Sequence, residues 1–392
     1  MASRRIKILF LTKWYLHRND PQFGVFIHKH AKAIAKFADV AVLHVMSDEK
    51  LSGSAFDEVI REESGLLTVQ VYFKKSIGLC SGVINAYRYI GGTRKGLRII
   101  RKKFGEYDLV HAYILLRPAL VAWWLKVTSG KKYIISEQWS GYTTGKFSQR
   151  NFLTKALSRF VVSKAETVTT VSEFLKDSMR HCGLKSAYVV IPNIIEIPPV
   201  SSFEKEVNEK IKILVVADLV DEIKNISGTI RAFSEIFAQH KNAELNIIGH
   251  GRDEMKLKNL VAELRLNDAV LFHGVKPNEE VYRFLQRCDF LVMNSNFETF
   301  SLICAEALSC GKPLVATRCG GPQEFVTADT GILIEPGNHQ QLVSAMNEML
   351  LQYRSYSPEK LRHYAGQKFS AEIVGEKFFK VYTTITEIQP SY

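Results

Sequence analysis

The chain has 392 residues, which is too long for one ordinary hydrophobic core and suits two domains of roughly 100 to 200 residues each. Hydrophobic residues at 46% and charged residues at 23% exclude collagen-like and disordered classes. Residues 1–200 hold 31 Lys and Arg against 15 Asp and Glu, a net charge of +16, and the remainder carries −4. This one-sided charge predicts an anionic partner such as a membrane surface, a nucleic acid or a phosphorylated acceptor, and an ordinary solvated surface is the alternative.

The first half of the chain alternates short β-branched runs with longer amphipathic runs, beginning with a strand over 6–11 and a helix over 25–37. This rhythm is typical of βαβ units and predicts a mostly parallel sheet covered on both faces. The further predicted strands are 40–45, 69–73, 109–112, 133–135, 167–171 and 188–191.

Residues 192–210 contain three prolines and many charges, and they predict a domain connection with its boundary near Ser201. The same rhythm then restarts, with predicted strands at 211–216, 245–248, 270–272, 290–293, 314–316 and 332–334. Two α/β domains over 1–200 and 201–370 follow from this pattern. The helical pattern of 371–388 predicts a last helix, within 371–392, that packs back on the first domain.

The sequence gives few signs of a compartment other than the cytoplasm. Its six scattered cysteines indicate neither disulfides nor a zinc site, and its first residues lack the apolar core of a signal peptide. The most apolar stretch, 113–127, is interrupted by Arg117 and Pro118 and is shorter than the ~20 residues of a spanning helix. We therefore expect a cytoplasmic protein whose membrane contact is peripheral.

The segment 289–317 reads as a strand, a polar loop, a helix that ends at Gly311, and a second strand. Ligands of open parallel sheets bind where such loops lead from a strand into a helix. The helix that begins near Phe300 offers unpaired amides suited to a phosphate or diphosphate. Ser301 is followed three residues later by Cys304 rather than by Glu or Gln, so no capping box closes this end.

Two glutamates flank this helix start, Glu298 just before it and Glu306 two turns inside it. In a continuous helix they would be separated by ~12 Å, too far for a paired acid and base. We expect Glu298 to bind sugar hydroxyls and Glu306 to bind the ribose of a nucleotide. The alternative of ordinary surface glutamates is weaker for Glu306, because its surroundings in LICAEAL are apolar.

This pair resembles the EX7E element of retaining GT-B glycosyltransferases of family 4, and the GGPQE stretch at 320–324 resembles the segment that follows it there. Further segments agree in the same order, over nearly the whole chain: KILFLTKWYL with FGVF, VHAY, SEQWSGY, TTVSEFL, VIPN, IKNI, NIIGHG, LFHG and GILIEPGN. The resemblance implies the GT-B fold, in which two Rossmann-like α/β domains face a central cleft.

The activity implied by the resemblance is transfer, with retention, of a hexose-type sugar from a UDP- or GDP-linked donor. A saccharide or lipid-linked acceptor is implied, in surface polysaccharide or glycolipid biosynthesis. By the same resemblance, Glu298 contacts the donor sugar and Glu306 the ribose. The backbone of Thr299, Phe300 and Ser301 binds the sugar and the diphosphate.

Lys224, with Asn225 beside it, matches the family's phosphate-binding lysine, whose ammonium neutralises the leaving diphosphate. The residues before Lys224 differ from the family's usual pattern. Ala217, Asp218 and Leu219 stand where the family usually has Gly-Arg-Leu, so a second phosphate-binding cation is missing.

Four further positions match the family. Gly24 matches a glycine loop near the diphosphate, and His111 matches a histidine near the reacting sugar, where a structural histidine is the equal alternative. Glu137 matches an acceptor-side acid, but Gln138 replaces the histidine that usually follows it. Gly249 lies in a loop expected beside the donor. It also begins an incomplete dinucleotide fingerprint, in which Glu254 replaces the third glycine.

No Asp-x-Asp triplet occurs in the sequence, so a divalent metal ion is not required. We expect no cofactor, with the nucleotide sugar as the co-substrate. Residues 87–104 mix basic and apolar residues on a predicted helix, which favours an anionic bilayer surface over nucleic acid, for which no motif is present. The alternatives are a sugar-nucleotide epimerase or hydrolase of the same fold, and a non-catalytic protein that binds nucleotide sugars.

Overall fold

The computed structural model of the protein describes residues 4–51, 55–199 and 210–388, which form two α/β units. The first unit comprises the chain up to Val171, then Lys176–Ile194 and the segment from Ala371. The second unit comprises Ser172–Leu175 and Ile195–Ser370. The boundary expected near Ser201 lies outside the described residues.

The first unit is built on one sheet. Its strands are β1 Lys7–Thr12, β2 Asp39–Asp48, β3 Phe56–Glu63, β4 Leu66–Lys74, β5 Leu109–Tyr113, β6 Tyr133–Glu137, β7 Thr167–Thr170 and β8 Tyr188–Val190. Its helices are α1 Val25–Ile34, α2 Ser81–Lys103, α3 Arg117–Ser129, α4 Phe152–Lys164, α5 Glu173–His181 and a last helix, Ala371–Thr386. The first turn of α5 belongs to the second unit. In the described ranges the strand order is β3-β4-β2-β1-β5-β6-β7-β8, and β3 is antiparallel to its neighbour β4.

Burial explains why the parallel strands were readable in the sequence. β1, β4, β5 and β6 are almost entirely buried, which is typical of parallel strands covered by helices on both faces. The edge strand β3 was not predicted. Its residues FDEVIREE are mostly exposed and charged, as protected edge strands often are.

The last helix of the chain returns to the first unit. Val374, Phe378 and Tyr382 on its inner face are buried in one cluster with Phe10 of β1 and Tyr113 of β5. This packing against α1 and the sheet places residues more than 250 positions apart in a single core.

The second unit is built on an all-parallel sheet. Its strands are β9 Ile211–Val216, β10 Ala243–Ile248, β11 Val270–Phe272, β12 Phe290–Met293, β13 Leu314–Thr317 and β14 Gly331–Ile334. Its helices are α6 Asp221–Lys224, α7 Ile226–Phe237, α8 Glu254–Glu263, α9 Asn278–Arg287, α10 Leu302–Ser309, α11 His339–Gln352 and α12 Pro358–Phe369. The last helix of the first unit, Ala371–Thr386, is therefore numbered α13. Over the described residues the order is β11-β10-β9-β12-β13-β14.

The prediction of two α/β domains with mainly parallel, Rossmann-like sheets is confirmed. The helix expected near Phe300 begins at Leu302, and the basic helix predicted over 87–104 begins earlier, at Ser81. In the part of the chain that the structure describes, no helix has the length and apolarity needed to cross a membrane.

Candidate active site

The loops that follow β9 and β12 are joined at the carboxyl edge of the second sheet, where these two strands are neighbours. The Asn296 N–H donates to the Ile223 carbonyl at 2.7 Å, and its side-chain amide donates to the Glu222 carbonyl at 2.9 Å. The Asn294 amide donates to the Asn225 carbonyl at 3.2 Å. These bonds fix the loop that carries Glu298 against the short helix that carries Lys224.

Lys224 and Glu298 meet directly. The Lys224 Nζ lies 2.5 Å from the Glu298 Oε1, and the Ser295 hydroxyl donates to the same oxygen at 3.0 Å. The two charged side chains are 21% and 15% exposed, so the pair is reachable from solvent. A cation on a flexible stem beside a carboxylate, both partly exposed, can bind the anionic and hydroxyl groups of one ligand.

The start of α10 is open, as the sequence predicted. Ser301 has a φ of 69° and makes no capping bond, because its hydroxyl faces the Cys304 sulfur at 3.3 Å. The N–H groups of Leu302, Ile303 and Cys304 donate to no acceptor among the described residues. Such a helix end presents amide donors and a partial positive charge to an anion.

Phe300 anchors this open end in the core. Its ring is buried and packs against Phe325 and Phe369, with ring centroids 5.4 and 5.5 Å away. Only the backbone of Phe300 therefore remains to contact a ligand, whereas Thr299 is partly exposed. The predicted roles of Thr299, Phe300 and Ser301 in donor binding are untested and stay predictions.

Glu306 is buried on α10, at 9% exposure, in agreement with the apolar run around it. The charge of Glu306 acts on Tyr282 of α9. Burial raises the pKa of Tyr282 well above its ordinary value, and Glu306 raises it further. A buried carboxylate needs polar partners. The predicted contact of Glu306 with a ribose hydroxyl stays a prediction, and Tyr282 is a neighbour that no sequence motif singled out.

The acidic residues before Lys224 differ in their surroundings. Asp221 is buried, accepts from the Ser227 N–H at 2.8 Å and lies 3.3 Å from the Lys256 ammonium. Although burial opposes it, these groups lower the pKa of Asp221. Glu222 pairs with Arg252 at 2.9 Å. Asp218 is exposed, and its carboxylate has no ion pair with any described residue, so it is the uncompensated negative charge here.

Two predicted donor-binding residues have backbone conformations that their loops require. Asn225 has a left-handed backbone, with a φ of 46°, and links α6 to α7. Gly249 has a φ of 136°, and a Cβ there would lie 1.8 Å from the Ala217 carbonyl oxygen. Only glycine allows the loop after β10 to pack so closely on the loop after β9. Their donor contacts stay predictions.

Gly24, in the first unit, has a φ of 68° and precedes α1. A Cβ at this position would lie 2.7 Å from the backbone of Trp14 and Tyr15. The glycine is therefore required by the packing of its own loop on the segment after β1. Contact with a diphosphate remains a prediction here too.

His111 lies in the middle of β5 and is fully buried, so its expected position beside the reacting sugar is corrected. The ring is fully buried, with Nδ1 2.7 Å from the Tyr382 hydroxyl and Nε2 2.6 Å from the Ser136 hydroxyl. Burial lowers the pKa of His111 well below its ordinary value. Both ring nitrogens are engaged within the core, so His111 acts as a neutral structural histidine that ties β5 to α13.

Glu137 ends β6 and is only 1% exposed. One carboxylate oxygen accepts from the Gln138 and Trp139 N–H groups at 2.8 and 2.9 Å. The other accepts from the Leu115 N–H at 3.0 Å and the Tyr142 hydroxyl at 3.1 Å. Its four partners belong to the loops after β5 and β6. Glu137 thus positions these loops, and its predicted acceptor-side role stays a prediction.

Ser295 is a site residue that sequence reasoning missed, although it lies in the loop already selected by the strand-end rule. The described ranges contain no group of three or more His, Cys, Asp or Glu side chains that could hold a metal ion.

Comparison with known proteins identifies the class. The family model described as Glycosyltransferase Family 4 matches residues 57–197, and the model described as Glycosyl transferases group 1 matches residues 199–368. Together the two matches span most of the chain. The protein is a glycosyltransferase with the GT-B type of fold, and it belongs to the family 4-like group.

Individual relatives agree with this assignment. The chain is 25% identical to N-acetyl-alpha-D-glucosaminyl L-malate synthase of Bacillus anthracis over 70% of this chain and 74% of that protein. Sucrose-phosphate synthase from Thermosynechococcus elongatus has a similar structure, with a TM-score of 0.75 and 17% identity over 98% of this chain and 100% of that chain. HepE of Anabaena in complex with UDP gives a TM-score of 0.70 at 16% identity, over 97% and 100% of the two chains.

Proposed function

We propose that this glycosyltransferase moves a hexose-type sugar, with retention, from a UDP- or GDP-linked donor to a saccharide or lipid-linked acceptor. The observation that carries the proposal is the Lys224–Glu298 pair, held at the strand edge that precedes the open end of α10. The structural relative HepE, solved with UDP, supports a nucleoside diphosphate as the leaving group. Synthesis of surface polysaccharide or glycolipid is the proposed setting.

The donor's charged and polar parts are matched by different groups in the second unit. The amides at Leu302, Ile303 and Cys304 and the Lys224 ammonium meet the diphosphate, and this fixed positive charge stabilises the charge that develops on departure. Glu298 accepts hydrogen bonds from sugar hydroxyls. The buried Glu306 accepts from the ribose.

The proposed reaction is a substitution on one face of the sugar. The bond from the anomeric carbon to the diphosphate oxygen breaks, an acceptor hydroxyl oxygen bonds to the same face, and the leaving phosphate takes the hydroxyl proton. Glu298 is already bonded to Lys224 and Ser295, which suits a binding role better than that of a nucleophile. Nuclear magnetic resonance of the product tests retention: an anomer inverted relative to the donor would refute it.

Metal independence is part of the proposal, and the positive groups just named support it, because they supply what a divalent ion would otherwise supply. We expect turnover to persist after treatment with EDTA and exhaustive dialysis. Complete loss that manganese restores would overturn this part of the proposal.

A donor panel tests the function itself. A nucleotide sugar that binds the folded state raises its melting temperature, so thermal shifts against UDP- and GDP-linked sugars identify the donor. Product analysis with and without acceptors then separates transfer from epimerisation or hydrolysis. Binding without any turnover would favour a non-catalytic protein instead.

We also propose a cytoplasmic protein that attaches peripherally to an anionic membrane surface through α2 and the turn before it. Ile77, Leu79, Val83 and Tyr87 are exposed large side chains at one end of this segment. Further along α2, the exposed residues Arg94, Arg98, Lys102 and Lys103 form no ion pair with described residues. Apolar insertion beside unpaired cations is typical of interfacial helices.

Vesicle sedimentation tests this attachment. Vesicles with phosphatidylserine should bind the protein at low salt, and Leu79→Asp with Val83→Asp should abolish binding. Equal sedimentation with neutral vesicles, or no binding to either kind, would refute the proposed attachment.

A further inference from the structure

Three basic side chains lie at the carboxyl edge of the first sheet. Lys13 directly follows β1, Arg117 begins α3 after β5, and Arg150 lies in the segment between β6 and α4. β1, β5 and β6 are neighbours in this sheet. Ligands of open parallel sheets bind at this edge.

The loop that presents Arg117 has an unusual backbone. Ile114 and Leu116 have φ angles of 67° and 78°, values that non-glycine residues adopt only where the surroundings impose them. The Ile114 N–H donates to the Ser136 carbonyl at 2.8 Å, and the buried Glu137 accepts from the Leu115 N–H at 3.0 Å. Strain of this kind occurs mainly at functional sites.

No described residue forms a direct ion pair with these three cations. They are exposed, and their charged ends make no ion pair or hydrogen bond with described residues. Instead, the Arg117 guanidinium lies 5.6 Å from the Tyr89 ring centroid, and the Arg150 guanidinium lies 5.5 Å from that of Trp139. Contact with a ring face leaves the N–H donors of the guanidinium available.

The charged groups of this cluster interact electrostatically with Lys13. Although the Lys13 side chain is accessible to solvent, its partial burial lowers its pKa; Glu137 opposes that shift, and Arg117 and Arg150 add to it. Glu137, the carboxylate whose charge reaches Lys13, is already satisfied by four donors of its own chain, and three positive charges share this edge. The edge therefore carries excess positive charge and free donors, which suit an anion.

We propose that Lys13, Arg117 and Arg150 bind a phosphate or carboxylate group of the acceptor substrate. The proposal rests on the proposed function, because only a transferase has an acceptor. Glu137 is a positioning residue for this subsite, since it holds the loop that presents Arg117.

The first experiment measures the anion site alone, with inorganic phosphate as the probe. The full chain carries Lys224→Met, so that the cation proposed to hold the donor diphosphate is absent. Thermal shifts with phosphate are compared between this protein, the same protein with Lys13→Glu and Arg117→Glu, and a control with Lys185→Glu, an exposed lysine of the same unit.

We expect phosphate to stabilise the Lys224→Met protein and its Lys185→Glu derivative. The charge-reversed protein should need at least about tenfold more phosphate for the same shift, because each lost charge-assisted hydrogen bond weakens binding about 10- to 100-fold. Lys13→Gln with Arg117→Gln provides the comparison if charge reversal impairs folding. Equal responses in all proteins would overturn the proposal.

The second experiment separates two sources of the anion. One arm offers glucose 6-phosphate against glucose, and the other offers a polyprenyl-diphosphate saccharide against the same saccharide on an uncharged alkyl chain. In one arm the wild type should prefer the charged acceptor at least about tenfold in kcat/KM. Arg117→Glu should raise the KM for that acceptor while nucleoside diphosphate binding stays unchanged.

Failure of the inference differs from failure of the proposed function. Equal use of charged and neutral acceptors, by the wild type and by Arg117→Glu, would refute the inference and leave the transferase intact. No transfer from any donor, with phosphate binding that still depends on Lys13 and Arg117, would refute the function and with it the assignment to an acceptor.

Discussion

Two glutamates at strand edges show how the partners of a carboxylate decide its use. Glu137 in the first unit is 1% exposed and accepts four hydrogen bonds, three of them from main-chain amides. Glu298 in the second unit is 15% exposed in its side chain and is bonded to a lysine and a serine. Main-chain amides cannot move away, whereas an ammonium on a four-carbon stem can turn to a ligand. Glu137 therefore has a structural role in its loops, whereas the Glu298 carboxylate can exchange its partners for a ligand.

The largest expected effect concerns Glu298 and its partner Lys224. Glu298→Ala and Lys224→Ala should each lower kcat by about 10²- to 10³-fold, as expected for preorganised groups at the reacting centre. Stability should change by less than about 1 kcal/mol, because the pair is partly exposed. Steady-state kinetics and urea unfolding check this, with the exposed Glu279→Ala as the control. A full-rate Glu298→Ala enzyme would contradict the assigned site.

The first glutamate should behave in the opposite way. Glu137→Ala leaves buried donors unpaired in two loops, which should lower the free energy of unfolding by about 2–4 kcal/mol. Urea unfolding checks this, and Glu137→Gln, which keeps one acceptor, should lose less. A Glu137→Ala protein as stable as the wild type would show that the four bonds do not hold the loops.

The first unit should also be sensitive to acid. Burial lowers the pKa of His30 to about 3 and that of His44 to about 4. Because histidines of the unfolded chain have a pKa of about 6.5, the unfolded chain binds more protons than the folded one below that pH, and stability falls as the pH decreases. Each histidine should contribute about 1.2 kcal/mol between pH 6 and 5.

Urea unfolding at pH 7, 6 and 5 measures this slope. A His44→Gln variant should show a shallower slope than the wild type, whereas the exposed His363→Gln in the second unit should not differ from it. An unchanged slope in His44→Gln would argue against a neutral, buried His44.

The smallest expected effect concerns the uncompensated Asp218. Asp218→Arg exchanges an exposed negative charge for a positive one in the loop that leads to Lys224. It should tighten nucleoside diphosphate binding by about two- to fivefold, the range of an exposed ion pair. Calorimetry checks this, with Asp268→Arg before β11 as the control. Weaker binding would mean that Asp218 itself contacts the donor.

Periodicity predicted the buried strands well, because continuous apolar runs identify parallel strands directly. It missed β3, whose exposed charges resemble a loop. The open start of α10 followed from the absence of Glu or Gln three residues after Ser301, and the burial of Glu306 from its apolar neighbours. These features are local, so local sequence reveals them.

Features that depend on distant residues were beyond the sequence. His111 lies within a recognisable motif, but its partner Tyr382 lies 271 residues away, and only the fold shows that the ring faces the core. The Lys224–Glu298 contact joins two loops that are separate in the chain. Lys13 and Arg117 could have been noticed, because each follows a predicted strand. Their common position required the strand order.

The return of α13 has a consequence for biogenesis. A ribosome delivers Ile195–Ser370 before Ala371–Thr386, yet Val374, Phe378 and Tyr382 belong to the core of the first unit. The later-made unit can therefore complete its core during translation, while the earlier-made one waits with an apolar groove uncovered. Nascent chains stalled before Ala371 should accordingly expose the N-terminal half to chaperones and proteases.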